Sequence, residues 1–302
     1  MSSYKKGFGY VLKSIKKDRS LTPVLNNLKN KTYIVSGGTR GIGLSIAKKL
    51  SLLGANVAIF GKTQHEHPKL EGTILSAVDE IKSQHPTSIN NTIGVYCDIR
   101  NPDTIDNCIE TVVSTFGGLD GVILNASAIC LSNTLNQTNK EINLMTEVNI
   151  RGSFLVGKYS IKHLKKSQHP HVLSIAPPLD MINEPRWWTN HMYYSMSKYN
   201  MSLMTKMWHH EFPNIGANTL WPRTTINTTP VRNIGGEEMI NISRDVSIVG
   251  DAASHIILAN PLKCSGKNFI DDEVIVSMGG DVEQYKVNST VSEKELMPDF
   301  FC

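Results

Sequence analysis

Cysteine is sparse: Cys97, Cys108, Cys130, Cys264 and Cys302 are the only five in 302 residues. Their number is odd and none form a C-x-x-C pair, so a disulfide framework and a zinc ribbon are both excluded. No apolar run approaches the roughly 20 residues that cross a bilayer. Met1 is not followed by the apolar core of a secretory signal, so a reduced intracellular protein is expected. No spacing of His, Cys and carboxylates suggests a metal centre; His65, His67 and the His209-His210 pair read as surface residues. The terminal Phe300-Phe301-Cys302 is not a Ser-Lys-Leu peroxisomal address. Charge is modest, at 19% of residues against 40% hydrophobic. That balance belongs to an ordinary globular chain and not to a disordered one.

Basic residues are unevenly placed. Residues 1–31 carry eight of them against the single acid Asp18, while the remaining chain has 26 acids and 23 bases. A slightly acidic body argues against a nucleic-acid partner, whose phosphates demand a broadly basic face. Within the basic stretch, Tyr4, Phe8, Val11, Leu12 and Ile15 recur at helical spacing, with Lys5, Lys6, Lys13, Lys16 and Lys17 mostly elsewhere around the wheel. Such a segment resembles a mitochondrial presequence, Lys-rich where most are Arg-rich. An anionic membrane surface or a docking arm for a protein partner, through residues 1–20, are the alternatives.

From residue 32 onward, short β-branched or apolar runs alternate with helix-length segments. The runs fall at 32–36, 56–60, 93–97, 121–124, 171–176, 216–220 and 268–270. Helices are expected over 42–53, 73–84, 102–115, 139–166 and 191–212, the third opened by Asn101-Pro102-Asp103 as cap and first turn. Residues 223–250 lack strong apolar periodicity and read as a loop with short helices. Alternation of this kind predicts an α/β fold, a doubly wound parallel sheet of Rossmann type. It occupies a single domain over 31–302, preceded by the basic extension 1–30. About 270 residues suit one such domain.

Between the first run and the first helix lies Ser36-Gly37-Gly38-Thr39-Arg40-Gly41-Ile42-Gly43. Glycines there permit tight curvature and close approach of a pyrophosphate to amides at the helix N-terminus. After the second run an NAD site commonly carries an acid that bonds the ribose 2′-hydroxyl. Phe60-Gly61-Lys62-Thr63 has none, and Lys62 with Arg40 suits a 2′-phosphate through charge-assisted bonds. NADP(H) is therefore the expected cofactor.

Tyr194-Ser195-Met196-Ser197-Lys198 is the chain's one Tyr-x-x-x-Lys. Positions i and i+4 share a helix face, so Tyr194 and Lys198 meet while Tyr193 turns away. A free phenol, with a pKa of about 10, is a poor base at neutral pH. A nearby ammonium favours its phenolate. Tyr194 can then move a proton to or from a carbonyl oxygen while hydride moves at carbon.

The Gly37, Gly41, Gly43 spacing and the Tyr194/Lys198 pair together resemble the short-chain dehydrogenase/reductase family. The resemblance implies further roles. Asp98-Ile99 would meet adenine. Asn125, in Asn125-Ala126-Ser127-Ala128, would correspond to the family's N-N-A-G. Asn149 would support a proton relay to Lys198. Pro222 would follow the sixth strand, with Arg223 in place of glycine, and Thr225 and Thr228 would contact the nicotinamide amide or phosphates. Ser36, Gly37, Thr39, Arg40, Gly41, Ile42 and Gly43 would form the cofactor turn. The family also ends its fifth strand with a Ser that polarises the substrate oxygen. Aligning the strand puts Pro177 there, and Pro has neither hydroxyl nor N–H; Ser174 lies three residues early. Loss of such a donor costs roughly 2.7–4 kcal/mol of transition-state stabilisation, unless Ser195, Asn190 or a water substitutes.

Lys62-Thr63, His67-Pro68-Lys69-Leu70, Pro177-Pro178-Leu179, Leu220-Trp221-Pro222 and Pro298-Asp299-Phe300-Phe301 resemble the hydroxysteroid dehydrogenase-like branch of that family. The branch implies a lipid- or steroid-like apolar alcohol or carbonyl as substrate, in mitochondria or peroxisomes, with the cytoplasm as a further alternative. Its animal members add a sterol-carrier domain before which this chain stops, so lipid transfer is not expected. The family also implies a homodimer or homotetramer through helices 102–115 and 139–166. Pro177, Arg223 and the basic arm motivate a second reading: a weakly active or inactive subunit with a scaffold role in a larger assembly. Arg186-Trp187-Trp188 is a candidate rim for the substrate mouth.

Overall fold

Seven short strands carry the molecule: β1 Thr32–Ser36, β2 Asn56–Gly61, β3 Thr92–Tyr96, β4 Gly121–Leu124, β5 His171–Ile175, β6 Gly216–Trp221 and β7 Asn268–Ile270. In the computed structural model, which describes residues 17–66, 71–84, 91–180 and 190–300, they form one sheet in the order β3-β2-β1-β4-β5-β6-β7. Every pairing is parallel. Strands β1, β4, β5 and β6 are buried along their whole length, which is why they read as continuous apolar runs and not as alternating ones.

Successive residues of a strand point to opposite faces, and two cores follow from that alternation. Tyr33, Val35, Ile59 and Leu220 join one core with α1 (Gly41–Leu52), α2 (Ile74–Ser83) and α8 (Ser247–Leu258). Ile34, Phe60, Val122 and Val172 join the other with α3 (Pro102–Phe116), α5 (Ser153–Leu164) and the Met201 and Trp208 side of α6 (Met192–Glu211). Asn101 caps α3, accepting from the Asp103 amide with Pro102 in the first turn, and Gly117 closes the helix in the left-handed region at φ 82°.

Three expectations change against the structure. The segment 139–166 is not one regular helix. It breaks into α4 (Asn139–Met145), a π-helical turn over Thr146–Gly152, and α5. Residues 223–250 are more ordered than their weak periodicity suggests: α7 (Thr229–Asn241) takes up nearly half of them, kinked at Gly236, and α8 begins before they end. The periodicity is weak because α7 buries only Ile240 fully, its other apolar side chains facing a cavity. Finally, residues 18–30, within the stretch read as an extension, pack on the body. Leu21 and Leu28 are buried, Asp18 pairs with Lys267 at 2.8 Å, and the Val24 amide donates to Leu258. The amphipathic pattern over 4–15, His67–Leu70, Arg186–Trp188 and Phe301-Cys302 lie outside the described residues.

Candidate active site

A cavity of about 1590 Å³ opens along the C-terminal ends of the strands, where doubly wound sheets bind ligands. Of the residues singled out from sequence, Gly37, Thr39, Arg40, Gly41, Ile42, Gly43, Lys62, Asp98, Ile99, Asn125, Tyr194, Lys198, Pro222 and Thr225 line it. Ser36 and Asn149 do not; they hold the elements that do.

Ser36 Oγ donates to the Ile123 carbonyl and accepts from the Asn125 and Ala126 amides, tying the end of β1 to the chain leaving β4. Asn125 returns the contact: its Nδ2 donates to the Ser36 and Gly37 carbonyls at 3.0 and 3.1 Å. Gly43 is needed because a Cβ there would fall 2.3 Å from the Gly37 oxygen and 2.4 Å from Asn125 Nδ2. The first amides of α1 face the cavity, and Arg40 at the N-cap makes no side-chain cap bond to them. A helix N-terminus with unclaimed donors is a ready anion cradle.

Around that cradle the charges are local. Arg40 Nη2 donates to Thr63 Oγ1 and the Gly72 carbonyl at 3.1 and 2.8 Å, and its buried Nε has no hydrogen-bond partner among the described residues. Lys62 is exposed on the rim. Asp98 is held by Arg100, whose Nε lies 2.9 Å from Oδ1, and this guanidinium keeps the carboxyl below its usual range. Arg100 was not singled out beforehand; its position directly after Asp98-Ile99 was the available signal.

At the other end, the i, i+4 spacing on α6 places Tyr194 and Lys198 together, both buried. Lys198 Nζ donates to the Ile175 carbonyl at 2.7 Å and sits 5.2 Å from the Trp221 ring centroid. Burial brings its pKa down to about 7, with Asp299 acting in the opposite direction. Burial pushes the Tyr194 phenol well up, and the Asp299 carboxylate adds to that. Tyr193 faces away and bonds Thr146 at 2.6 Å.

Asn149 sits in the π-helical turn with its amide fully used. Oδ1 accepts from the Ala128 amide at 2.7 Å; Nδ2 donates to the Ala128 carbonyl and to Ser197 Oγ, both at 2.9 Å. It therefore positions α6 against the loop after β4, and its side chain makes no bond to Lys198. Ser174 points to the other face of β5, where its hydroxyl meets Thr205 at 2.6 Å. Pro177 is also off the cavity, its carbonyl accepting from Ser202. Ser195 is bound to His191. Neither Ser174 nor Ser195 thus supplies the missing hydroxyl donor. Arg223 is drawn away from the cavity by Asp272, at 2.7 Å, and by Glu273.

With this geometry in place, likeness to known proteins becomes informative. A profile of the short chain dehydrogenase family matches residues 31–234.

The chain belongs to the short chain dehydrogenase family.

Hydroxysteroid dehydrogenase-like protein 2 of Mus musculus is 39% identical over 93% of this chain. The chain spans 56% of that relative's length. A short chain dehydrogenase of Mycobacterium thermoresistibile, 36% identical, superposes with a TM-score of 0.82 over 91% of this chain and 95% of its own. A third family member, from Burkholderia cenocepacia J2315 and in complex with NADP, shares the fold at 22% identity and a TM-score of 0.67, over 81% of this chain and 97% of its own. As a member of this family the chain has the sheet, the glycine turn and the Tyr-x-x-x-Lys helix of a nicotinamide-dependent oxidoreductase.

Proposed function

We propose that the protein is an NADP(H)-dependent oxidoreductase that interconverts the carbonyl and secondary alcohol of an apolar, lipid- or steroid-like substrate. One observation carries the reading: a single cavity joins an uncapped helix N-terminus flanked by Arg40 and Lys62 to the Tyr194/Lys198 pair. The residues present fit the cofactor. The α1 amides and Arg40 Nε, without a partner among the described residues, supply anion donors, and Gly61-Lys62-Thr63 at the end of β2 has no acid to favour a free 2′-hydroxyl. Gly37, Gly41, Gly43, Asn125, Lys198 and Thr225 would hold it, and when bound it supplies or accepts the hydride.

The chain's own residues do the rest. Val231, Ile234, Met239, Ile242 and Leu296 form an apolar wall that excludes water and suits an apolar substrate. Tyr194 Oη delivers or removes the proton at the substrate oxygen, and the Lys198 ammonium lowers the cost of the phenolate that results. Arg223 lies off the cavity, held by Asp272 and Glu273, so it does not crowd the site; Pro177 still leaves the end of β5 without a hydroxyl donor.

The test is turnover of NADPH with ketones of increasing apolar size, comparing wild type with Tyr194→Phe. A loss of about 10²–10⁴-fold on removing the hydroxyl is expected. Wild-type turnover that survives the substitution overturns the Tyr194 mechanism.

A further inference from the structure

A segment far from α6 in sequence completes the cavity wall. Residues 296–300 run beneath α7 and beside the end of β6, fixed at nearly every residue. The Met297 amide donates to Ile242 and its carbonyl accepts from Thr225; Pro298 pairs with Thr224; the Asp299 amide donates to Arg223; and Trp221 Nε1 donates to the Phe300 carbonyl at 2.7 Å. Upstream, buried Arg244 ties Glu293 to Asp272, which also holds Arg223. The strap therefore delivers its side chains to one place. The Phe300 ring packs tilted against His191, centroids 4.7 Å apart, and meets the Tyr194 ring edge-on at 6.3 Å.

Asp299 precedes that ring and lines the same cavity as Tyr194 and Lys198. One carboxyl oxygen accepts from the Phe300 amide at 2.6 Å; among the described residues no hydrogen bond is made to the other. The ionisable groups that feel its charge are Tyr194 and Lys198 on α6 and Asp271 at the start of α9 (Asp271–Ser277), and Asp271 in turn faces Asp272, Arg223 and Arg244. We infer that Asp299 is a positioning residue of the active site, whose carboxylate holds protons on the Tyr194–Lys198 pair to higher pH and so widens the alkaline range of carbonyl reduction.

The electrostatics agree with the geometry. Lys198 is buried beside an indole with a backbone carbonyl as its acceptor; its pKa stands at about 7 with Asp299 already raising it, and without that counter-charge it sheds its proton at lower pH still. The Asp299 carboxyl, raised to about 7 by burial and by Asp271, becomes charged over the range in which Lys198 begins to let go. A negative charge there raises the proton affinity of both Lys198 and Tyr194. This inference rests on the oxidoreductase reading of Tyr194 and Lys198.

The experiment compares wild type, Asp299→Asn and Asp299→Glu with saturating NADPH between pH 6 and 10. Asp299→Asn moves the alkaline limb of kcat/KM for ketone reduction down by about one pH unit, a roughly tenfold loss on that limb, with the smallest change at the acid end of the range. NADPH affinity stays within threefold, and Asp299→Glu restores the limb. In parallel, the pH midpoint for acetylation of Lys198 by acetic anhydride, read by peptide mass spectrometry on cofactor-free protein, falls in Asp299→Asn by a similar amount. A structural role alone would not move that midpoint; Asp299→Ser repeats both measurements if Asn fails to fold. Superimposable limbs and midpoints for wild type and the neutral variants overturn the inference. If Tyr194→Phe is inert while Asp299→Asn behaves as wild type, the Asp299 role alone falls. If Tyr194→Phe remains active, the reading of the site falls, and the labelling midpoint still decides Asp299.

Discussion

Replacing Gly43 with Ala tests whether the turn after β1 is held for cofactor binding or is simply a bend. The added Cβ would lie 2.3 Å from the Gly37 oxygen and 2.4 Å from Asn125 Nδ2. Something must move, and the backbone carbonyl is the less able. Asn125 then loses its bonds to the Ser36 and Gly37 carbonyls, each worth about 0.5–1.5 kcal/mol net. Overpacking adds about 1–3 kcal/mol, and the better helix propensity of Ala returns up to about 1 kcal/mol. A net cost near 3 kcal/mol lowers the melting temperature by about 6–12 °C for a chain of this size. Displacing the Gly37 carbonyl also disturbs the α1 amides, so NADPH affinity falls at least about tenfold, equivalent to 1.4 kcal/mol. Gly117→Ala is the control. Its φ of 82° makes Ala strained by about 1–2 kcal/mol, yet no atom lies within 4 Å of the new Cβ. It should lower the melting temperature and leave NADPH binding within twofold. Scanning fluorimetry and quenching titrations with NADPH read both quantities. Wild-type NADPH affinity in folded Gly43→Ala would refute the packing argument.

Two further outcomes are expected. Lys62→Ala removes an exposed ammonium placed for a 2′-phosphate, so NADPH affinity falls about 10–100-fold, the worth of a charge-assisted bond of about 1.5–3 kcal/mol, while NADH affinity holds; equal losses for both cofactors would contradict that placement. Arg244→Met leaves buried Asp272 with Arg223 alone and half-buried Glu293 with a 3.6 Å contact to Lys286. It therefore costs about 1–3 kcal/mol, less than the roughly 3–5 kcal/mol of a fully stranded buried charge, with faster amide exchange across 286–300. An unchanged melting temperature would show that the network does not hold the strap.

The strands and most helices were legible because buried parallel strands leave continuous apolar runs, and because Tyr194 and Lys198 are spaced for one helix face. What escaped sequence reading was set by partners distant along the chain. The α7 helix faces a cavity and not the core, so it shows little stripe. The direction of Ser174 depends on the strand's alternation: Ile175 lines the cavity, so its neighbour faces α6. Arg223 looked like a disruption because Asp272 and Glu273, about 50 residues later, could not be matched to it in advance. The motif containing Asp299 was visible as a branch resemblance, but its place beside Lys198 arises from the fold returning a segment 101 residues downstream to the same wall.

The π-helical turn over Thr146–Gly152 makes this stretch sensitive to reading frame in a way that loops are not. A π turn carries one more residue than the α-helix needs, and each residue rotates a helix face by about 100°. Deleting one residue here would therefore leave a smoother helix and a broken site. Asn149 would swing off Ala128 and Ser197, even though α4 and α5 on either side could join as one regular helix. Length variation across relatives can be absorbed freely at a surface turn such as Gly117-Gly118. In this helix the extra residue is itself the fitted part.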